Sequence, residues 1–525
     1  MNTKNKLIIT AAFLFCGILT FNLLAQDSTK SLAFKKNRPY RNSPYFYQPD
    51  LSYQLLQQFK LVQLANSGDP LAQHELGLRL LTGEGISADT IKAVFWIKKA
   101  ASQKLTSALY NYGIMLINGW GTDWNPFDAF DNFSIAAESG MSQAQYVLGV
   151  LYTDNLIVPR DWNKAYYWIK KADSGGFEPA KNVLKEISPK VTIAFKDSVE
   201  QNKISLVNNS SAKKENDESK IKPSLNLVFI DFNTDLDTIK EVSDKVLISD
   251  LMRTEIDTVL NSFSDKNDSS LSTFYDKSKI VILRDLADSG SPEALTILGK
   301  LYQQGDYLGM NKLNSAEFYI RATILDSPRA AFLLWNLVRE KDFYNILNDA
   351  IQFDDPVAQF VWYGLKKLGY DNRLSDNDAI NLLQKSAEQK HIPAIIELGF
   401  NYYTGKFVKV DEEKGLEYWQ LAKQLGSLEA DVRIETSRIF DSIDKTNLKN
   451  SFDRIVFAEK RGSLLAQFTL GHCYEYGLGV KTFLPNAVKY YRNASQRGSQ
   501  FAFAQLKRLY DDKRPASDKF RVENQ

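Results

Sequence analysis

Few side chains in this 525-residue chain are both reactive and scarce, so the search for chemistry starts with them. The three histidines, His74, His391 and His472, fall in separate stretches. No HxxxH, HExxH or CxxC spacing accompanies them, so no zinc ligand set forms locally. His472 stands beside Cys473, a pairing that could supply a base and a nucleophile. Neighbouring residues of a helix do not face each other, however, and Cys473 reads as a small buried side chain. The turns Gly83-Glu84-Gly85, Gly119-Trp120-Gly121 and Gly477-Leu478-Gly479 resemble phosphate loops only in composition, since no strand precedes them and no Gly-Lys-Ser follows. Asp231 to Asp237 has the acidic spacing of a calcium loop, but Leu236 replaces its glycine and Val242 its final glutamate. No GxSxG run is present either. The residues therefore point to no enzyme, with no catalytic, metal or cofactor-binding set.

The residues that do recur build structure. Alanines 72, 108, 144 and 180 stand one period of 36 apart, and Ala294, Ala330, Ala358, Ala394, Ala430, Ala466 and Ala502 keep that step except between Ala330 and Ala358. A fixed period of this length is the mark of a repeat array. Each copy reads as two helices. Helix A begins at a capping residue and proline, as in Asp69-Pro70, Ser291-Pro292 and Asp355-Pro356. Its inner face carries the alanine, then Leu76, Leu148, Leu298, Leu398 or Leu470, then Leu80, Tyr152, Tyr302, Tyr402 or Tyr474. Glycine at 77, 113, 149, 299, 399 and 471 costs about 1 kcal/mol in a helix, so its recurrence calls for close approach of a partner. Helix B carries Ala93 and Ala100, or their equivalents, with Trp96, Phe133, Trp168 and Tyr490 between them as the large partners of small residues. Glycines 68, 140, 176, 290, 426, 462 and 498 close helix B.

The pattern yields an all-α fold, an α-α superhelical solenoid of two-helix repeats in two arrays joined by a linker. Residues 1–25 carry Lys4 and Lys6, an apolar run from Leu7 to Leu24 and then Ala25, as a signal peptide does. An uncleaved anchor is the alternative, and Phe15 before Cys16 argues against lipid attachment. Cleavage leaves 63 basic and 63 acidic residues. That balance gives no reason to expect a nucleic-acid partner. It also leaves Cys473 without a second cysteine and the chain without an integral membrane segment. An extended lead-in spans 26–50, the first array with its N-terminal cap helix 51–187, and a flexible linker 188–224. A divergent helical segment covers 225–277, the second array 278–511, and a polar, frayed tail 512–525.

The run A-x-x-x-L-G-x-x-Y, a G-x-G turn, then A-x-x-W-x-x-K-A-A and a closing glycine resembles the Sel-one-like repeat, a relative of the tetratricopeptide repeat. Leu76, Gly77, Gly83, Gly85, Ala93, Trp96, Lys99, Ala100 and Ala101 carry it first, and Gln467 to Gly498 carries it near the end. Lys185, Trp335 and Glu435 depart from it at the glycine position. Some secreted relatives pin each repeat with a cysteine pair, which this chain lacks. The resemblance implies a groove lined by helix A positions around the glycine: His74, Tyr110, Asn118, Tyr146, Asp154, Lys300, Gln303, Gln304, Tyr403, His472 and Glu475. About half of these are expected to be exposed. Their aromatic and hydrogen-bonding character suits a protein or extended peptide. The expectation is an exported, non-catalytic scaffold or adaptor, periplasmic or extracellular, with a protein or peptide partner in the cell envelope. Its alternatives are a cell-envelope enzyme or binder acting on a peptide or glycan ligand of muropeptide type, and a self-associating structural component.

Overall fold

A computed structural model describes residues 51–199, apart from 194, 197 and 198, and residues 277–522, apart from 306, 307 and 442–447. The expected signal peptide, the expected lead-in, most of the linker, all but the end of the 225–277 segment and the Asp231–Asp237 stretch lie outside them. Among the described residues the regular structure is helical, with twenty-two α-helices and no strand. The chain forms two compact units, residues 1–231 with 514–525, and residues 232–513.

In the first unit α1 (Leu51–Asn66) is followed by three antiparallel pairs: α2 (Pro70–Thr82) with α3 (Thr90–Ser102), α4 (Thr106–Asn118) with α5 (Pro126–Glu138), and α6 (Ser142–Leu151) with α7 (Trp162–Ser174). Helix α8 (Pro179–Ile187) and a short 3-10 turn, Ser188–Lys190, follow. Helix starts form as the proline and capping signals dictate: the Asp69 carboxylate accepts from the Ala72 amide at 2.7 Å, satisfying one of the donors a helix leaves unpaired.

The recurrent glycine is where helix B lies against helix A. A methyl group on Gly77 would stand 2.5 Å from Ile97 Cγ1, and one on Gly113 2.6 Å from the Phe133 ring. The same holds for Gly149 under Ile169, Gly299 under Tyr319, Gly399 under Trp419 and Gly471 under Tyr491. These large partners come 25 residues after the repeat alanine. Of the four aromatics expected in that role only Phe133 fills it. Trp96, Trp168 and Tyr490 stand one residue earlier and are only partly buried. Their position packs elsewhere: Tyr302 stacks on Phe318, Tyr402 on Tyr418 and Tyr474 on Tyr490, with ring centroids 5.6 Å apart in each pair. Trp96 and Trp168 instead lie under the ammonium groups of Lys99 and Lys171, at 5.1 and 5.0 Å.

The second unit contains α9 (Lys277–Asp288), α10 (Pro292–Gln304), α11 (Lys312–Ile324), α12 (Pro328–Val338), α13 (Phe343–Gln352), α14 (Pro356–Lys367) and α15 (Asp376–Glu388). It continues through α16 (Ile392–Thr404), α17 (Glu412–Gln424), α18 (Leu428–Asp441), α19 (Lys449–Lys460), α20 (Leu464–Tyr476), α21 (Leu484–Gln496) and α22 (Gln500–Lys513). The short interval after Ala330 has a structural outcome: α14 packs directly on α11, where a methyl on Gly364 would meet Ile320 Cγ2 at 2.5 Å. The pair α12–α13 is thus an excursion from the stack. At Glu435 the degenerate repeat replaces glycine with a buried carboxylate, and Ser451, standing where helix B otherwise has alanine, donates to it at 2.7 Å.

This array closes on itself. Ser289 Oγ donates to the Arg461 carbonyl at 2.6 Å, the Leu464 amide to the Gly290 carbonyl at 3.2 Å, and the Gln500 amide to Asp326 Oδ2 at 3.3 Å. Arg497 grips Glu293 through two nitrogens at 2.9 and 2.7 Å, with both side chains largely buried. Its first repeat therefore touches its last.

The tail expected to be frayed is packed. Beyond α22, residues 514–522 belong to the first unit, and Phe520 is buried there.

Candidate binding surface

In the first unit helix A places His74, Tyr110 and Tyr146 in buried positions, and the turn after α6 does the same for Asp154. The Asn111 amide donates to His74 Nε2 at 2.8 Å, so that nitrogen is the acceptor of a neutral ring. Burial holds the His74 imidazole down at about 4, with the Glu75 charge opposing it. Tyr110 leans on Phe133 at 5.8 Å and Tyr146 on Phe177 at 5.1 Å. The Asp154 carboxylate accepts from the Leu156 amide at 3.1 Å. Asn118 is half-buried and donates to the Ile114 carbonyl at 2.8 Å. These residues join helices and turns to one another.

In the second unit Lys300, Gln303, Tyr403, His472 and Glu475 are half-buried and Gln304 is exposed. Gln303 accepts from the Tyr319 hydroxyl at 2.9 Å and donates to Glu340 at 3.3 Å. The Tyr403 hydroxyl donates to Asp441, and its ring packs on Trp419 at 4.9 Å. Glu475 accepts from the Tyr491 hydroxyl at 2.9 Å and pairs with Arg508. Of the eleven candidates only Gln304 is fully exposed, well short of half. The long polar groups at this register bridge neighbouring helices before any ligand arrives.

His472 is the exception that finds a surface. It lies with Phe468 and Tyr476 along one face of α20, and Phe440 of α18 stacks on it at 4.1 Å with the rings 16° from parallel. Tyr476 follows at 4.5 Å from His472, and Phe468 stands 6.1 Å from Phe440. Phe440 and Tyr476 are 43% and 44% exposed, so the ladder meets solvent at these two rings, while Phe468 and His472 are half-buried. Burial lowers the His472 pKa, with Glu475 opposing and Arg508 adding to the shift. Cys473, its neighbour, is wholly buried, and burial pushes its thiol up to about 12, so it is no thiolate nucleophile at neutral pH.

Phe468 and Tyr476 occupy the same register as the residues chosen from sequence, three before and five after Gly471, so they were within reach of that reading. Phe440 was not, because its repeat carries Glu435 in place of the framing glycine. Among the described residues no group of three or more His, Cys, Asp or Glu side chains is placed to hold a metal ion, and no helix is long and apolar enough to cross a membrane.

Elsewhere in the second unit, Glu317 is buried with its carboxylate 3.7 Å from His391 Nε2. Burial pushes the Glu317 carboxyl up to about 7 despite the Arg321 charge, and burial holds His391 down at about 4. Lys367, buried against Glu397, is lowered by burial.

Paired helices, an interlocking glycine and glycine-rich turns define this protein as an α-α repeat solenoid. The Sel1 repeat family model matches residues 70–105, 106–141, 142–174, 292–326, 360–391, 392–427 and 464–499, and the chain is a Sel1-like repeat protein. The matched stretches pass over the α12–α13 excursion. Among solved structures, the chain is similar to a protective antigen of uropathogenic Escherichia coli strains displaying an SLR fold, with 19% identity over 89% of this chain and 84% of that one, and a TM-score of 0.30. It is also similar to a Sel1 repeat protein from Oxalobacter formigenes, with 34% identity over 25% of this chain and 98% of that one, and a TM-score of 0.24.

Proposed function

We propose that this protein is an exported, non-catalytic scaffold that binds a protein or extended peptide in the cell envelope through the helix A face of its repeats. The family's fold suits a protein-interaction scaffold. The observation that carries the finer reading is the ring ladder of Phe440, Phe468, His472 and Tyr476, exposed at Phe440 and Tyr476. Aromatic side chains give large contact area with few torsions to freeze, which is why they dominate binding energy at protein surfaces. The Glu475–Arg508 pair borders the ladder and supplies a polar rim. Export rests on the charged, apolar and small-residue order of residues 1–25.

The test is crosslinking and affinity capture with the mature chain, residues 26–525, against envelope extract. One protein partner, lost from the Phe440→Ala/Tyr476→Ala variant and kept by a Gln304→Ala control, is the expected result. Retention of glycan or muropeptide species alone would overturn the scaffold reading. Terminal sequencing of the protein recovered from its native cells should begin at Gln26, and an intact Met1 would remove export by cleavage.

A further inference from the structure

The first unit holds a segment of its own chain in the manner of a bound peptide. The receptor lies where α5 meets the turn after α6. That turn departs from the others: where earlier repeats carry Gly-x-Gly, it reads Asn155-Leu156-Ile157-Val158, and the three apolar side chains are buried. Its own polar groups fix it. Asp154 accepts from the Leu156 amide at 3.1 Å, Asn155 Oδ1 from the Arg160 amide at 3.0 Å, and Arg160 Nε donates to the Thr153 carbonyl at 2.8 Å. The carbonyls of Leu156 and Ile157 are thereby held in place as acceptors.

The C-terminal segment uses two anchors. Arg514 donates to the Leu156 carbonyl at 2.8 Å and the Ile157 carbonyl at 3.2 Å. Six residues later Phe520 meets Phe127 edge-on at 5.1 Å and Phe130 at 5.9 Å, and is buried. Lys519 pairs with Asp131 and lies over the Phe130 ring at 4.8 Å. Arg514 also donates to the Phe520 carbonyl at 2.6 Å, fixing the distance between the anchors. The residues between them, Pro515 to Lys519, are exposed. Interior chain is buried along its length, whereas a short linear ligand is held by a few side chains with the rest in water.

We propose that this is a peptide-recognition site for an arginine followed, six residues on, by an aromatic preceded by a basic residue, and that residues 514–520 occupy it in cis as a built-in competitor. A partner carrying such a segment displaces the tail. The turn is braced by its own hydrogen bonds, so little has to be ordered when a ligand binds. A tethered competitor raises the concentration an outside peptide must reach, typically into the millimolar range for a short flexible tether. This site is separate from the ring ladder and does not depend on it.

The test uses the full-length chain with its tail released, Arg514→Ala/Phe520→Ala, and a fluorescent peptide of residues 513–522 read by anisotropy. Binding to the released variant at least about tenfold tighter than to wild type is expected. It should be lost when the peptide carries Phe520→Ala, and weakened when Asp131→Lys is added to the receptor. Equal binding to wild type and variant, or indifference to Phe520 of the peptide, would overturn the proposal. So would no binding by a variant whose far-ultraviolet circular dichroism and first-array amide protection match wild type. If that variant unfolds, Phe520→Leu alone keeps the apolar anchor and loosens the ring contacts, and the same comparison applies to it.

Discussion

At the scale of single residues, the glycine of helix A decides how near helix B can come. Gly77→Ala gains about 1 kcal/mol of helix propensity. The added methyl would also stand 2.5 Å from Ile97 Cγ1 and 3.0 Å from the Ala93 carbonyl oxygen, a backbone atom that cannot rotate away. Overpacking of this kind costs about 1–3 kcal/mol, so the net expectation is destabilisation, partly relieved by adding Ile97→Val. Thermal melts of the single and double variants check this, and a more stable Gly77→Ala would refute the close-packing account. His74 gives a pH dependence of definite sign. Its folded value of about 4 lies below the ordinary 6.5, so the unfolded chain binds the extra proton between those values. Stability from this group is present above pH 6.5 and lost as pH falls towards 4, on the order of 3 kcal/mol in all. Amide exchange in α2 and α4 should speed up across that window in wild type and less so in His74→Gln. Glu317 acts oppositely: its carboxyl, raised to about 7, weakens the second unit as pH rises from 4.5 to 7, so Glu317→Gln should flatten that unit's loss.

At the scale of elements, the chain direction reverses after helix B through a left-handed residue four places before the repeat alanine. Glycine supplies it at 68, 140, 176, 290, 426, 462 and 498, as the sequence leads one to expect. The structure adds that Lys104, Asp326, Asp354 and Lys390 take the same conformation, with φ between 58° and 63°. A side chain there costs about 1 kcal/mol. Lys104→Gly and Lys390→Gly should therefore raise the melting temperature, and an unchanged or lowered value would show that those lysines make compensating contacts. Helix pairs, caps and the glycine contact were legible because each repeats at a fixed step, so the copies correct one another. The large residue over the glycine was misplaced by one because Trp96, Trp168 and Tyr490 are conspicuous while Ile97 and Ile169 are plain. The groove residues were harder still. Register identifies a helix face but not whether the neighbouring repeat covers it, and His74, Tyr110 and Tyr146 are covered.

At the scale of the whole molecule, two arrangements left no periodic trace. The tail is mostly polar with Phe520 as its one aromatic residue, and one buried ring cannot be read from composition. Closure of the second array depends on residues about 170 to 200 positions apart. Arg497 illustrates why: it makes a bond that recurs between repeats, reaching the Gly462 carbonyl at 2.6 Å and Gln467 at 3.2 Å, as Gln103 reaches Gly68 and Gln73. Its further grip on Glu293 marks closure alone. Removing one partner of a buried ion pair costs about 3–5 kcal/mol. Glu293→Ala should lower amide protection in α10 and in α20–α21 together, and loss confined to α10 would mean that the ends are not coupled.

That closure also bears on how such a gene can change. An open solenoid contacts only its neighbours, so a 36-residue unit can be duplicated or deleted and the remaining stack still fits. In the second array a gained or lost unit would carry Arg497 away from Glu293 and Leu464 away from Gly290. Its copy number is locked by geometry, whereas the turn at 339–342 between α12 and α13 makes none of these closing contacts.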